Sequence, residues 1–378
     1  MVNRNYKKSK ITFIIMSALA AIAVLAILIV VHELGHFAAA RLQGIRANKF
    51  SIGFGPTLLK YQGSETEYAL RAFLLGGYVG FPDDDPDSDI PADDPNLLRN
   101  RPILDRAIVI SAGVIANLIF AYFLLVGQSA TIGFQQVNYF DGVSVPEIVQ
   151  DSNSPAQQAG ILPGDVILKV DNQELGASPS SLTLLQDLIQ EAPNRRLELT
   201  IERDESIISL MVTPQANSQG QGQIGVMLAP HGEVIRHRSS NIIEAFVAGA
   251  TEYQRIAQLT VKGFWQLISN FQENANQVAG PVAIVAVGAK LASSDLSNLF
   301  QFGALISINL AVINILPLPA LDGGQLAFLA IEGVFGKPLP SKVQDSIMQT
   351  GLVLLLGLGI FLIVRDTMNL TFFQELLQ

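Results

Sequence analysis

The sequence predicts an α-helical polytopic membrane protein with about four transmembrane helices, a membrane-associated β-hairpin element and one inserted soluble α+β domain. Three observations carry that expectation. Of the 378 residues, 49% are hydrophobic and only 15% charged, and mean hydropathy is +0.37, a balance rare in water-soluble proteins. Apolar runs of bilayer length recur at residues 11–31, 107–126, 299–316 and 347–364. Between the second and third runs, over 137–230, the composition becomes that of a soluble domain. The chain therefore divides into 1–136 (two spans and their loops), 137–230, 231–298 (amphipathic or interfacial helices) and 299–378 (two further spans).

Charge and cysteine usage narrow the function. The net charge of −9 resides in a short Asp-rich run and in the middle domain, and no basic face interleaved with aromatics appears, so nucleic acid is not an expected partner. The absence of cysteine excludes disulfides and thiolate metal sites.

Taken in order, the chain starts with basic residues (Arg4, Lys7, Lys8, Lys10) and enters the first apolar run. Ser17-Ala18-Leu19-Ala20 loosely resembles a signal-peptide cleavage site. The run, however, exceeds a typical signal core and continues into His32-Glu33-Leu34-Gly35-His36, which predicts an uncleaved first transmembrane helix. At i and i+4, His32 and His36 share one helix face and can offer two imidazoles to one zinc ion. Glu33 is offset from that face and can reach a water beside the metal, the H-E-x-x-H arrangement of zinc hydrolases.

Residues 45–80 change character. Ser51-Ile52-Gly53-Phe54-Gly55-Pro56 and Leu74-Leu75-Gly76-Gly77-Tyr78-Val79 bracket alternating segments, which predicts strands and hairpins. One reading is a surface hairpin; the other is a β-element dipping towards the histidines, its edge near Gly76, Gly77 and Tyr78 holding an extended substrate. The acidic stretch 82–95 is a solvated loop. It fails as a calcium loop because Ile90 and Asn96 stand where glycine and glutamate are needed. The second run contains Asn117, a polar group expected to face a partner helix or the site.

In the middle domain, Ser154-Pro155-Ala156 leads through Ala159-Gly160 and Pro163-Gly164-Asp165 into the strand-like 166–170, followed by a helical stretch and two alternating strands. That order resembles a PDZ domain of the bacterial protease type. A strand over 223–227, with Ile224, Gly225 and Val226, is a candidate edge for a peptide C-terminus, and plain sheet packing is the alternative. His231 and His237, placed just beyond the domain, read as solvent histidines. Residues 241–271 follow a helical period and carry the lone Trp265, which suits an interfacial helix. The third span ends in Asn314-Ile315-Leu316-Pro317-Leu318-Pro319-Ala320-Leu321-Asp322-Gly323-Gly324. There the two prolines must end the helix, leaving unwound backbone that is tolerated at membrane depth only inside protein or against a cavity.

Two histidines do not complete a hydrolytic zinc site. Asp322 is the natural third ligand on topological grounds: spans 1 and 3 run the same way, His32 and His36 follow the apolar core of one, and Asp322 follows that of the other. With both halves in place, the chain resembles the site-2 protease family of intramembrane zinc metalloproteases, of the bacterial type with an inserted PDZ domain. The resemblance rests on the HELGH motif, the GFGP and LGGYV segments, the insertion, the GPVAI stretch and the Asn314-to-Gly324 motif. It implies Zn2+ bound by His32, His36 and Asp322, Glu33 as base, and Asn314 positioning substrate backbone. Val114 stands where the family's second span commonly has proline, which should alter a local bend, and one PDZ domain fits where some relatives carry two.

The activity so implied is hydrolysis of peptide bonds within or near the membrane segment of a single-pass protein already shortened outside the membrane. The partners are that substrate, the lipid bilayer and a peptide C-terminus at the PDZ domain. Two other classes stay open: a catalytically silent PDZ scaffold, against which the intact ligand set counts, and a zinc or solute transporter, against which the lack of internal repeats counts. The location is multi-pass in a bacterial-type inner or plasma membrane. Eight basic residues flank the spans on the motif side (Arg41, Arg46, Lys49, Arg99, Arg101, Arg106, Lys337, Lys342) against five opposite (Arg4, Lys7, Lys8, Lys10, Arg365). That balance puts the active site towards the cytoplasm and the PDZ domain on the other side.

Overall fold

Helix α1 (Val2–Leu42) sets the frame of the computed structural model, which describes residues 2–84, 90–149, 154–217, 220–274 and 278–369. The chain divides into two compact units. One joins Met1–Ile132 to Arg238–Gln378, and the other is Gly133–His237.

In the first unit, α1 is apolar over Ile15–Leu42 and carries the two histidines in its last turns. It stops in a Schellman-type turn: Gly44 N–H donates to Arg41 O and Ile45 N–H to Ala40 O, with Ile45 packed under Ala40 and Val109. Two long strands follow, β1 (Lys49–Gln62) and β2 (Glu67–Gly80), each of which doubles back on the other. Residues 49–52 lie parallel to 67–70 and antiparallel to 77–80, while residues 57–62 pair antiparallel with 67–71. Four segments thus form one small sheet with 77–80 at an edge, where it pairs only with 49–52 among the described residues. Short helical turns η1 (Pro82–Asp84) and η2 (Leu98–Asn100) lead to α2 (Ile103–Thr131). Of the expected acidic loop, residues 85–89 lie outside the described residues.

Helix α2 runs antiparallel to α1, with Val109 beside His36 and Asn117 beside His32. The approach is close because Gly35 presents no side chain: a Cβ there would lie 2.4 Å from the Ala112 carbonyl oxygen.

After the second unit the chain returns through α5 (Ile242–Ser269), capped by the Asn241 side chain, which accepts from Glu244 N–H. Helix α5 packs on α2 at Gly249 and Val126 and leaves Trp265 exposed. The single turn α6 (Phe271–Asn274) precedes α7 (Pro281–Ser294), whose first turn is capped from far along the chain: Ala283 N–H donates to the Asp366 carboxylate. Helix α8 (Asn298–Ile315) is parallel to α1, Gly303 facing Val24 and Asn314 reaching His32. It ends where Leu316 turns extended ahead of the two prolines, and α9 (Asp322–Phe335) begins at Asp322 itself. Arg106 and Glu332 form a two-bond ion pair that ties α9 to the start of α2. The last helix, α10 (Ser341–Asn369), touches the proline break where Gly351 packs on Pro319. Among the described residues four helices, Ile15–Leu42, Ile103–Thr131, Asn298–Ile315 and Ser341–Asn369, are long and apolar enough to cross a membrane.

The second unit is an antiparallel sheet of β3 (Phe134–Ile148), β4 (Val166–Val170), β5 (Gln173–Glu174), β6 (Leu197–Arg203), β7 (Ser206–Val212) and β10 (Val226–His237). Its order is β10-β3-β4-β6-β7, with β5 paired to β4. The small pair β8 (Gln215–Ala216) and β9 (Gly222–Gln223) stands apart. Helices α3 (Pro155–Ala159) and α4 (Ser180–Gln190) complete the unit, whose core holds Val143, Ile167, Leu185, Leu199 and Ile201. Asp165 is buried against Arg203, accepting 2.7 and 2.8 Å bonds from its guanidinium and a third from Leu162 N–H. Burial opposes ionisation of that carboxyl, but the Arg203 and Leu162 bonds prevail and hold it below its ordinary value.

Candidate active site

His32 and His36 project from one face of α1 with their rings edge to face, 4.8 Å between centroids. The proline break returns the chain beneath them and starts α9 at Asp322. Three atoms converge there. His32 Nε2 and His36 Nε2 are 3.2 Å apart, and Asp322 Oδ2 lies 3.3 and 3.4 Å from them. Donors held 2.0–2.1 Å from one tetrahedral ion are separated by about 3.3–3.4 Å, so the triangle has the size zinc requires. Asp322 Oδ2 is buried with no hydrogen-bond partner among the described residues, which leaves its lone pairs for a cation. His36 Nδ1 lies 2.9 Å from the Val109 carbonyl, which can only accept, so this ring carries its proton on Nδ1 and turns the Nε2 lone pair inward.

Glu33 is buried at 8% exposure on the neighbouring face of α1. It packs against Gly77 of β2, where a Cβ would lie 2.7 Å from its Cγ. The carboxylate therefore sits against the 77–80 edge of the sheet. Tyr78, next along, accepts from Arg71, whose guanidinium also lies 5.8 Å from the Tyr78 ring centre. Gly76 faces the Phe54 ring instead. Asn314 brings its amide nitrogen 3.2 Å from His32 Nε2.

One residue of the centre has no counterpart among the sequence expectations. At Gly113 of α2 a Cβ would lie 2.3 Å from His36 Nε2 and 2.7 Å from His32 Cε1, so only hydrogen fits beneath the two rings. The available signal was a glycine interrupting a helical apolar run, which ordinarily marks a packing or functional constraint.

The residues expected at a peptide-binding edge lie in the second unit, and the strand expected over 223–227 is interrupted. Gly222–Gln223 pairs with Gln215–Ala216, Ile224 is buried in the core, and β10 begins only at Val226. Gly225, at φ +79°, adopts a left-handed conformation that breaks the ladder between them. The same stretch, with Gln186, Ile189 and Gln190 of α4, lines a groove of about 170 Å³. His231 and His237 lie within β10 rather than beyond the domain, and the His231 ring nitrogen Nδ1 contacts Asp141 O at 2.7 Å.

The sequence has close counterparts among known proteins. The sequence profile of Peptidase family M50 matches residues 20–358. A protein of Synechocystis sp. whose name describes a zinc metalloprotease is 63% identical over 363 residues, covering 96% of this chain and 98% of its own. The chloroplastic membrane metalloprotease ARASP of Arabidopsis thaliana is 50% identical over 363 residues, covering 96% and 81%. Among solved structures, the PDZ domain of an SdrC-like protein from Listeria innocua is similar to 24% of this chain and 97% of its own, at 24% identity and a TM-score of 0.21.

Proposed function

This chain belongs to Peptidase family M50, the site-2 proteases, and is a zinc metalloprotease; from that premise we propose that it cuts peptide bonds in or beside the membrane segment of single-pass proteins. His32, His36 and Asp322 hold the zinc and Glu33 is the base. The observation that carries this reading is the convergence of three ligand atoms from α1 and α9 beside a buried carboxylate and an open strand edge.

Bound there, zinc supplies Lewis acidity, polarising a carbonyl and making a water easier to deprotonate. The rest of the work falls to the chain. Glu33 takes the proton of the attacking water on a carboxylate oxygen and returns it to the amine nitrogen of the departing half. A substrate helix has its backbone bonds already paired, so it must unwind before it can be cut. The 77–80 edge, held against Glu33, offers replacement backbone bonds to an extended segment, and the Asn314 amide offers one more. Arg71 keeps Tyr78 and hence that edge in place.

The balance of basic residues places the active site towards the cytoplasm. The inserted PDZ-like unit then lies on the opposite side, where it admits substrates trimmed by an earlier cut and holds back bulky ones. The test of the chemistry is metal analysis beside cleavage of single-pass membrane peptides. Glu33→Gln should abolish cleavage with zinc retained, and Asp322→Asn should weaken zinc retention. A Glu33→Gln protein empty of zinc would make Glu33 a ligand and overturn these roles.

A further inference from the structure

His32 stands between two side-chain amides. The Asn314 amide nitrogen lies 3.2 Å from its Nε2, and the Asn117 amide lies 3.4 Å from its Nδ1. A neutral imidazole has one acceptor nitrogen, so two amide N–H groups cannot both donate to it. Its Nε2 is the atom that converges with His36 Nε2 and Asp322 Oδ2. If the ring is a zinc ligand through Nε2, the proton belongs on Nδ1 and requires an acceptor. The only side chain within hydrogen-bond distance of Nδ1, among the described residues, is Asn117. Its Oδ1 is buried without a partner among the described residues. A half-turn of the amide exchanges its nitrogen and oxygen, bringing that oxygen to Nδ1.

We infer that Asn117 is a positioning residue of the metal centre: its amide oxygen accepts the Nδ1 proton of His32 and so directs the Nε2 lone pair at the ion. The inference rests on the reading of His32 as a ligand. It gives the two histidines matching supports from one helix, since His36 leans on the Val109 carbonyl eight residues earlier in α2. Asn117 is itself enclosed. It is 0% exposed, and its backbone carbonyl accepts a 2.8 Å bond from Ser307 Oγ of α8, equally buried. The helix that leads to Asp322 is thereby fastened at the residue that orients His32.

The experiment uses the full chain in detergent, stripped of zinc and titrated against a chromophoric chelator, with the absorption spectrum of the cobalt-loaded protein as a second reading. Asn117→Leu, of similar volume without an acceptor, should bind zinc on the order of 10–100-fold more weakly and alter the cobalt spectrum. Asn117→Asp keeps an acceptor in place, and should hold zinc at least as tightly as the parent. This variant decides the matter should leucine unfold the protein. Ser307→Ala loosens the helix contact without touching the amide, and should weaken zinc binding far less than Asn117→Leu does. Undiminished affinity in Asn117→Leu, or weakened affinity in Asn117→Asp, would overturn the inference. A loss in Ser307→Ala as large as that of the leucine variant would do the same, because packing alone would then account for both. His32→Ala separates the two levels: if it keeps zinc, the ligand assignment itself fails. If it loses zinc while Asn117→Leu does not, only the role of Asn117 fails.

Discussion

Replacing Gly113 by alanine adds one methyl group at the most crowded point of the metal centre. The new Cβ would stand 2.3 Å from His36 Nε2, and ordinary contact begins near 3.4 Å. The ring nitrogen must therefore retreat by 3.4 − 2.3, about 1.1 Å, or the helices must part by as much. Ligand constellations tolerate displacements of about 0.5 Å, and a misplacement of about 1 Å costs on the order of 100-fold in rate. Gly113→Ala should thus slow cleavage on the order of 100-fold and weaken zinc retention on the order of 10-fold or more. Helix propensity works the other way, because alanine in a helix interior is favoured over glycine by about 1 kcal/mol. Gly127 provides the control on the same helix: the nearest atom to a Cβ there is Phe300 Cε1 at 3.9 Å, so Gly127→Ala should keep both zinc and activity. Zinc per chain, chelator competition and cleavage of one membrane peptide should be measured on all three proteins. A Gly113→Ala protein matching Gly127→Ala in zinc affinity and rate would show that the histidine rings do not rest on α2.

Other expectations follow from the same structure. Asp165→Asn removes the charge from a buried pair with Arg203 and should destabilise the second unit by about 2 kcal/mol, read as faster hydrogen exchange in β6 of the full chain. Because the folded Asp165 carboxyl lies below its ordinary value, its contribution is complete above the unfolded value near ~3.9 and fades as pH falls through the folded one. The parent should therefore lose β6 protection in acid more steeply than the variant. Reporter fusions at residues 90 and 215 should report opposite compartments, with residue 90 cytoplasmic; the reverse pattern would invert the assigned orientation. Replacing residues 140–230 by a short flexible linker should leave zinc bound and let untrimmed substrates be cut. A general fall in activity would indicate a folding role for the insertion, and a fall confined to trimmed substrates a recruiting one.

The two halves of the candidate metal centre were legible because each is written locally. Helical spacing alone puts His32 and His36 on one face, and Pro317 and Pro319 alone force the break that frees Asp322. What joins the halves is written nowhere in one stretch. Asn117 was recognisable as a polar residue needing a partner, but its pairing with His32 depends on how α1 and α2 cross. Gly113 was ambiguous because a glycine in a helix has the same appearance whether it admits a neighbour or merely bends the chain. The small sheet was anticipated as a hairpin, yet its register is a fourfold arrangement in which residues 49–52 pair on both sides. Such pairing follows from contacts remote in sequence, as does the cap that Asp366 places on α7. In the second unit, a strand was expected over 223–227, and one left-handed glycine was enough to divide it.

The proposed ligands come from distant parts of the chain, His36 before the insertion and Asp322 after it, 322 − 36 = 286 residues later. At ribosomal speeds of roughly 5–20 residues per second, about 15–60 s separate the emergence of the HELGH helix from that of its third ligand. Through that interval the growing protein carries Glu33 and the two imidazoles without the third member of the proposed zinc site. On the proposed ligand set the site closes only once α8 and the proline break behind it are in place, which makes metal capture a sign that the chain has been made and inserted as far as Asp322.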